Sequence, residues 1–148
     1  MTAAPPRDLR LERALRCVQV RFATDAEGPA VGAIVKGAGH VVGGCDWSKV
    51  YPHWLVAIYR GDMVGVLQIC YGIPVARLEL LAFLPGVSYR ARALAVKSLL
   101  SMGIVAAKKA GASMVSGCIP AAQQTFKEFL KTEGCKVLYQ GNMMGRGI

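Results

Sequence analysis

Acidic side chains are scarce in this chain of 148 residues: nine Asp and Glu stand against eighteen Lys and Arg, for a formal net charge of +9. None of the nine lies between Glu79 and Glu128, an interval that holds Arg90, Arg92, Lys97, Lys108, Lys109 and Lys127. Such a surface suits a polyanionic visitor, and it equally suits a solvated basic face that only aids solubility. Histidine is rarer still, with His40 and His53 alone. The five cysteines (17, 45, 70, 118 and 135) are scattered and form no CxxC pair. A zinc site and a disulfide framework are therefore not expected, and the cysteines read as buried thiols in a reducing compartment, the cytoplasm. Long apolar runs are missing too: residues 63–76 are free of charge but fall short of the roughly 20 residues that cross a bilayer. The N-terminus carries Arg7, Arg10, Arg13 and Arg16 where a signal peptide has a continuous apolar stretch. No membrane partner is expected.

What is abundant is apolar: hydrophobic residues make up 53% of the chain and charged residues 18%, a composition that folds rather than staying disordered. The length suits one core. Residues 1–17 read as an N-terminal extension and 18–148 as a single domain. Within the extension, Ala3, Ala4, Pro5 and Pro6 are loop-like, whereas Leu11, Ala14, Leu15 and Val18 recur at helical spacing, as a short docking helix or a frayed terminus would.

Along the domain, residues 18–23 read as a strand. Thr24 and Glu27 have the form of a capping box, and Pro29 suits a first turn, so a helix is expected over 26–36. Glycines 37, 39, 43 and 44 end it. Residues 38–52 form a long loop whose Trp47 and Tyr51 either cover a site or plug the core. Strands are expected over 54–59 and 64–71, joined by Arg60-Gly61-Asp62-Met63, with a third over 76–84, apolar on both faces and stopped by Pro85-Gly86. Leu94, Leu99, Leu100, Ile104 and Ala107 place a helix over 93–110, with Gly103 marking a close approach to the sheet and Gly111 the stop. A strand over 114–119, a helix from Pro120 to about 133 with Phe126, Phe129 and Leu130 inward, and a last strand over 136–144 complete the order. The fold class is α/β (mixed α+β), a central mixed sheet with helices on both faces.

Residues 20–31 (VRFATDAEGPAV) resemble the opening strand and helix of the GNAT superfamily of N-acetyltransferases, with Glu27 in the acidic position of that start. The order of the elements that follow resembles the same family, over about residues 18–144. The resemblance implies an acyl-CoA N-acyltransferase fold, acetyl-CoA (coenzyme A) as cosubstrate and direct acetyl transfer to an amine. In that family the helix after the fourth strand opens with a pyrophosphate loop of Gln or Arg, two residues, Gly, any residue, then Gly or Ala. Arg90, Ala91, Arg92, Ala93, Leu94 and Ala95 match it except at Ala93, whose methyl group partly obstructs the approach of phosphate to backbone. Free N–H groups at a helix N-terminus attract anions, and Arg90 and Arg92 add charge-assisted contacts; the alternative is an ordinary helix start with two solvated arginines.

The resemblance also implies that backbone groups of Ala82, Phe83 and Leu84 hold the pantetheine arm. It places Gln123 near the position of the family's asparagine in the last helix, and Leu130 where the family has a tyrosine acid. Tyr89 and Tyr139 are substitutes for that acid or plain packing residues. Glu79 is the only acid on the 76–84 strand, and apolar surroundings push a carboxyl toward the range useful to a base; Arg77 on the same face would instead make it a structural ion pair. His53 is a second base candidate. Two functions follow: an acetyl-CoA-dependent N-acetyltransferase, or a catalytically degenerate module of the same fold serving interaction or assembly, for example in a larger complex or a virion. Nucleic acid is disfavoured because the charges are not interleaved with aromatics apart from Tyr89. A second copy of the chain or another protein stays open as a partner.

Overall fold

The computed structural model describes residues 17–40, 43–118, 123–132 and 134–136. The first of its two units, Met1–Gly117, contains a five-stranded sheet in the order β1-β2-β3-β4-β5. The strands are β1 (Val18–Phe22), β2 (Trp54–Tyr59), β3 (Asp62–Cys70), β4 (Val75–Phe83) and β5 (Met114–Ser116). The first four run antiparallel to their neighbours and β5 is parallel to β4. The expected mixed sheet is thus present. Its faces carry helices α1 (Gly28–Gly37) and α2 (Tyr89–Lys109), each over its own apolar cluster.

The expected 26–36 helix is divided. Asp25–Glu27 forms a 3₁₀ turn, and α1 follows with Pro29 in its first turn. The capping box is made, with Glu27 Oε2 accepting the Thr24 N–H at 2.9 Å. Two hydrogen bonds of 2.9 Å tie the loop of residues 38–52 back to this turn, the N–H groups of Val50 and Tyr51 donating to Asp25 Oδ1. Trp47 plugs rather than covers: its ring lies 5.6 Å from that of Trp54, and a methyl at Gly32 would come within 2.9 Å of it. Tyr51 stays exposed, edge-on to Phe22.

The β2–β3 hairpin turns on two residues rather than four. Arg60 and Gly61 have φ of 52° and 88°, positive at both positions as a type I′ turn requires, so β3 starts at Asp62 rather than Val64. At the other end of β4, Gly86 (φ 84°) follows Pro85 in a turn closed by the Val87 N–H on the Leu84 carbonyl. Helix α2 then begins one turn earlier than expected. Ser88 is its N-cap, with Oγ accepting the Ala91 N–H at 3.2 Å, the side-chain substitute for an absent intrahelical partner. Leu94, Ala95 and Leu99 pack onto Leu67, Ile69 and Leu78; burying each large aliphatic side chain stabilises by roughly 1.5–3 kcal/mol. Gly103 makes the expected close approach, since an added methyl would stand 3.0 Å from Leu78 and 3.3 Å from Leu67.

Strand β5 is three residues long against an expected span of 114–119. The second unit, Cys118–Ile148, contains α3 (Gln124–Thr132), where Phe126 and Phe129 stack at 6.4 Å. Pro120, Tyr139 and nearly all of the expected 136–144 strand lie outside the described residues, as do residues 1–16 of the expected extension.

Candidate active site

Strand β4 is where the sheet opens. Its partner β5 pairs with it only at Val75, Ala76 and Arg77. Among the described residues, the outer edge from Glu79 to Phe83 has no strand beside it, so its outward N–H and C=O groups are available to a ligand. An irregularity lies in the same stretch. Gln68 pairs with Glu79 but Val66 with Ala82, so Leu67 faces both Leu80 and Leu81. Leu80 takes φ of 48°, a conformation that costs a leucine energy and that the surrounding pairing holds in place. The bulge also shifts the alternation: Leu78 faces the α2 side, Leu80 and Ala82 the α1 side, and Leu81 and Phe83 the α2 side again.

The bulge sorts the three residues expected to hold a pantetheine arm. The Leu84 N–H donates to the Val64 carbonyl at 2.9 Å and so points into the sheet. Antiparallel alternation turns Ala82 the same way and Phe83 outward. Of the three, only Phe83 presents its N–H to the open edge; Leu81, absent from the expected set, is the other residue of that parity. No sequence signal marks the bulge, because leucine rarely adopts a positive φ.

Helix α2 starts beside the end of β4, and its residues are placed differently from the sequence expectation. Arg90–Ala95 lie inside the helix rather than in a loop before it. The Arg92 N–H already bonds the Ser88 carbonyl at 3.0 Å, and Ala93, Leu94 and Ala95 lie in the helical run beyond it. The Ala91 N–H is taken by Ser88. The amides left for an anion are those of Tyr89 and Arg90. Ala91, Leu94 and Ala95 are buried in the core, whereas Tyr89, Arg90, Arg92 and Ala93 are exposed. The Arg92 guanidinium stands 5.9 Å from the centre of the Phe83 ring, a cation–π contact joining the helix start to the open strand.

Glu79 precedes the bulge, on the face opposite Leu78, with its side chain 25% exposed. Arg77, two residues earlier, places Nη1 3.4 Å from Glu79 Oε1. The pair that the sequence suggested is therefore formed. It is loose beside the Arg21–Glu27 pair, whose two contacts are 2.8 and 2.7 Å. Cys70, across the ladder, has its Sγ 3.9 Å from Glu79 Oε2. Burial first and the nearby Glu79 charge second push the Cys70 thiol up, which keeps it protonated. His53 is not brought to this cluster; its ring packs edge-on to Tyr71 at 5.5 Å. Gln123 belongs to the second unit, where its carbonyl accepts the Lys127 N–H. A shallow groove of about 460 Å³ lined by Phe22, Tyr71, Met102, Val105 and Lys109 holds no carboxylate. Among the described residues no cluster of His, Cys, Asp or Glu could hold a metal ion, and no helix is long and apolar enough to cross a membrane.

No family model and no curated protein matches the sequence. Solved structures do match the fold. The aminoglycoside N-acetyltransferase AAC(6')-Iy, in complex with a CoA bisubstrate analogue, superposes with a TM-score of 0.68 over 88% of this chain and 99% of its own, at 13% identity. An aminoglycoside acetyltransferase from an uncultured soil metagenomic sample gives 0.67 over 90% and 97%, at 10% identity. A transcriptional regulator from Bacillus halodurans gives 0.63 over 87% and 99%, at 15% identity. The chain has the GNAT acetyltransferase fold. At these identities the likeness is one of architecture. Within the GNAT fold of this chain, the open β4 edge, the bulge and the α2 N-terminus converge on one end of the sheet.

Proposed function

We propose that the domain, residues 18–148, is an acetyl-CoA-dependent N-acetyltransferase that moves an acetyl group directly to an amine. The observation that carries this reading is the coincidence, in a GNAT fold, of a β4 edge unpaired among the described residues with a helix N-terminus bearing two exposed arginines. The structural neighbours include acetyltransferases solved with CoA or a CoA analogue. The residues fit such a ligand. Phosphates suit the Tyr89 and Arg90 amides and the guanidinium groups of Arg90 and Arg92, and a peptide-like arm suits the outward backbone groups of Leu81 and Phe83. Glu79 would take a proton from the amine, directly or through a water, as the nitrogen attacks the thioester.

The second reading, a catalytically degenerate module of the same fold, is favoured by two observations. The phosphate motif has Ala93 for glycine and is drawn into helix, and Glu79 is paired with Arg77. Calorimetric titration of acetyl-CoA separates the two readings. Binding by the wild type with a loss of about tenfold or more in Arg90→Glu is expected; no binding by the wild type would reject the transferase. Where binding is seen, Glu79→Gln should cut turnover by about 100-fold or more, and unchanged turnover would remove the carboxylate from its role.

A further inference from the structure

Among the described residues of the first unit, every acid but Glu79 lies away from the point where β4 and β5 part. Asp25 accepts two backbone N–H groups, Glu27 holds Arg21, Asp46 holds Ser48, and Asp62 opens β3 at the hairpin. Among the described residues Glu79 alone lies where β4 and β5 part, and Arg77 offsets its charge. No acid follows in sequence until Glu128, and none follows Glu133. A polycation needs several carboxylates to offset its charges against a surface of net +9, and the described residues of this site offer one.

Arg77 itself is poorly used. It is the last residue of β4 paired with β5, its side chain is 59% exposed, and among the described residues its single ionic contact is the 3.4 Å approach to Glu79. The remaining guanidinium N–H groups have no partner among the described residues. Arginine presents a planar fork that matches a carboxylate. The cation and the anion therefore stand side by side at the point where the sheet splits.

We propose that the acceptor is an amine carrying its own carboxylate, an amino acid or a compound like one, bound across the Arg77–Glu79 pair. The proposal rests on the transferase reading above and names the substrate class of the same site. The loose internal ion pair exchanges for two external ones: Arg77 takes the acceptor carboxylate and Glu79 its ammonium group. One ammonium proton leaves through Glu79 to solvent. The nitrogen lone pair then forms the C–N bond as the C–S bond of the thioester breaks, and the second proton passes to the departing sulfur. The products are the N-acetylated acid and free CoA thiol. Arg77 is here a specificity-determining residue.

The test measures CoA thiol release from acetyl-CoA with the standard amino acids, the amide of each, and spermidine. The expected result is a kcat/KM at least about tenfold higher for one or more acids than for the matching amides and spermidine. In Arg77→Gln that preference should collapse, through KM, and Arg77→Lys should restore part of it. Amides or spermidine used as well as the acids, a preference that survives Arg77→Gln, or no turnover on any acid would overturn the proposal while acetyl-CoA binding leaves the transferase reading in place. Absence of acetyl-CoA binding in calorimetry would remove both.

Discussion

Glu27 shows how much one side chain can carry here. The Arg21 guanidinium, followed by the Thr24 N–H, holds its carboxyl down at about 2. A depressed carboxyl stabilises the fold fully above its unfolded value near 4.5 and loses that contribution as pH falls through about 2. Urea unfolding across this range should find wild type more stable than Glu27→Gln by about 1 kcal/mol at neutral pH, allowing for solvent screening. The gap should close between pH of about 4.5 and about 2; a gap that persists at low pH would show that the capping geometry rather than the charge is responsible. The capping half of this interaction was legible in the spacing of Thr24 and Glu27. The Arg21 half was not, because it depends on β1 ending beside the turn. Glu79 and Arg77 could be paired from sequence, since residues two apart on a strand share a face, but the looseness of their contact is a matter of side-chain geometry.

Among the elements, α1 depends on a residue that is remote in sequence. Trp47 lies against α1, and a methyl at Gly32 would meet its ring at 2.9 Å, whereas one at Gly43 would meet nothing within 4 Å. Gly32→Ala should therefore destabilise by about 1–3 kcal/mol and shift the tryptophan fluorescence, despite alanine's better helix propensity. Gly43→Ala should change neither by much in the same denaturation experiment. A stabilised Gly32→Ala protein would mean that the loop is not pinned there. The start of α2 shows the opposite case. Ser88 is a good N-cap by residue type, so a helix start before residue 90 is legible in the sequence. The bulge at Leu80 was not readable, because the extra residue appears only when β4 is laid against β3.

For the whole molecule, the net charge of +9 and the acid-free interval from Glu79 to Glu128 make association with a polyanion sensitive to ionic strength. The affinity for acetyl-CoA should fall by about tenfold or more between about 0.05 and 0.5 M salt, as screening shortens the reach of the arginines. Titration across that series checks it, and a flat response would locate the binding energy in the strand edge rather than in the charges. The element order, a property of the chain read locally, implies the mixed sheet, and together with the resemblance of residues 20–31 to the GNAT start it implies the GNAT architecture.

Periodicity, caps and turn residues act between neighbours in sequence, so the sequence by itself determined strands β1 to β4, the α1 region, the long α2 and the shortage of acid. Only the tertiary structure decided where β5 leaves β4, which N–H groups face the open edge, and that Arg77 and Glu79 stand at the split. Those features arise from the register between strands far apart in the chain, and no local pattern encodes a register.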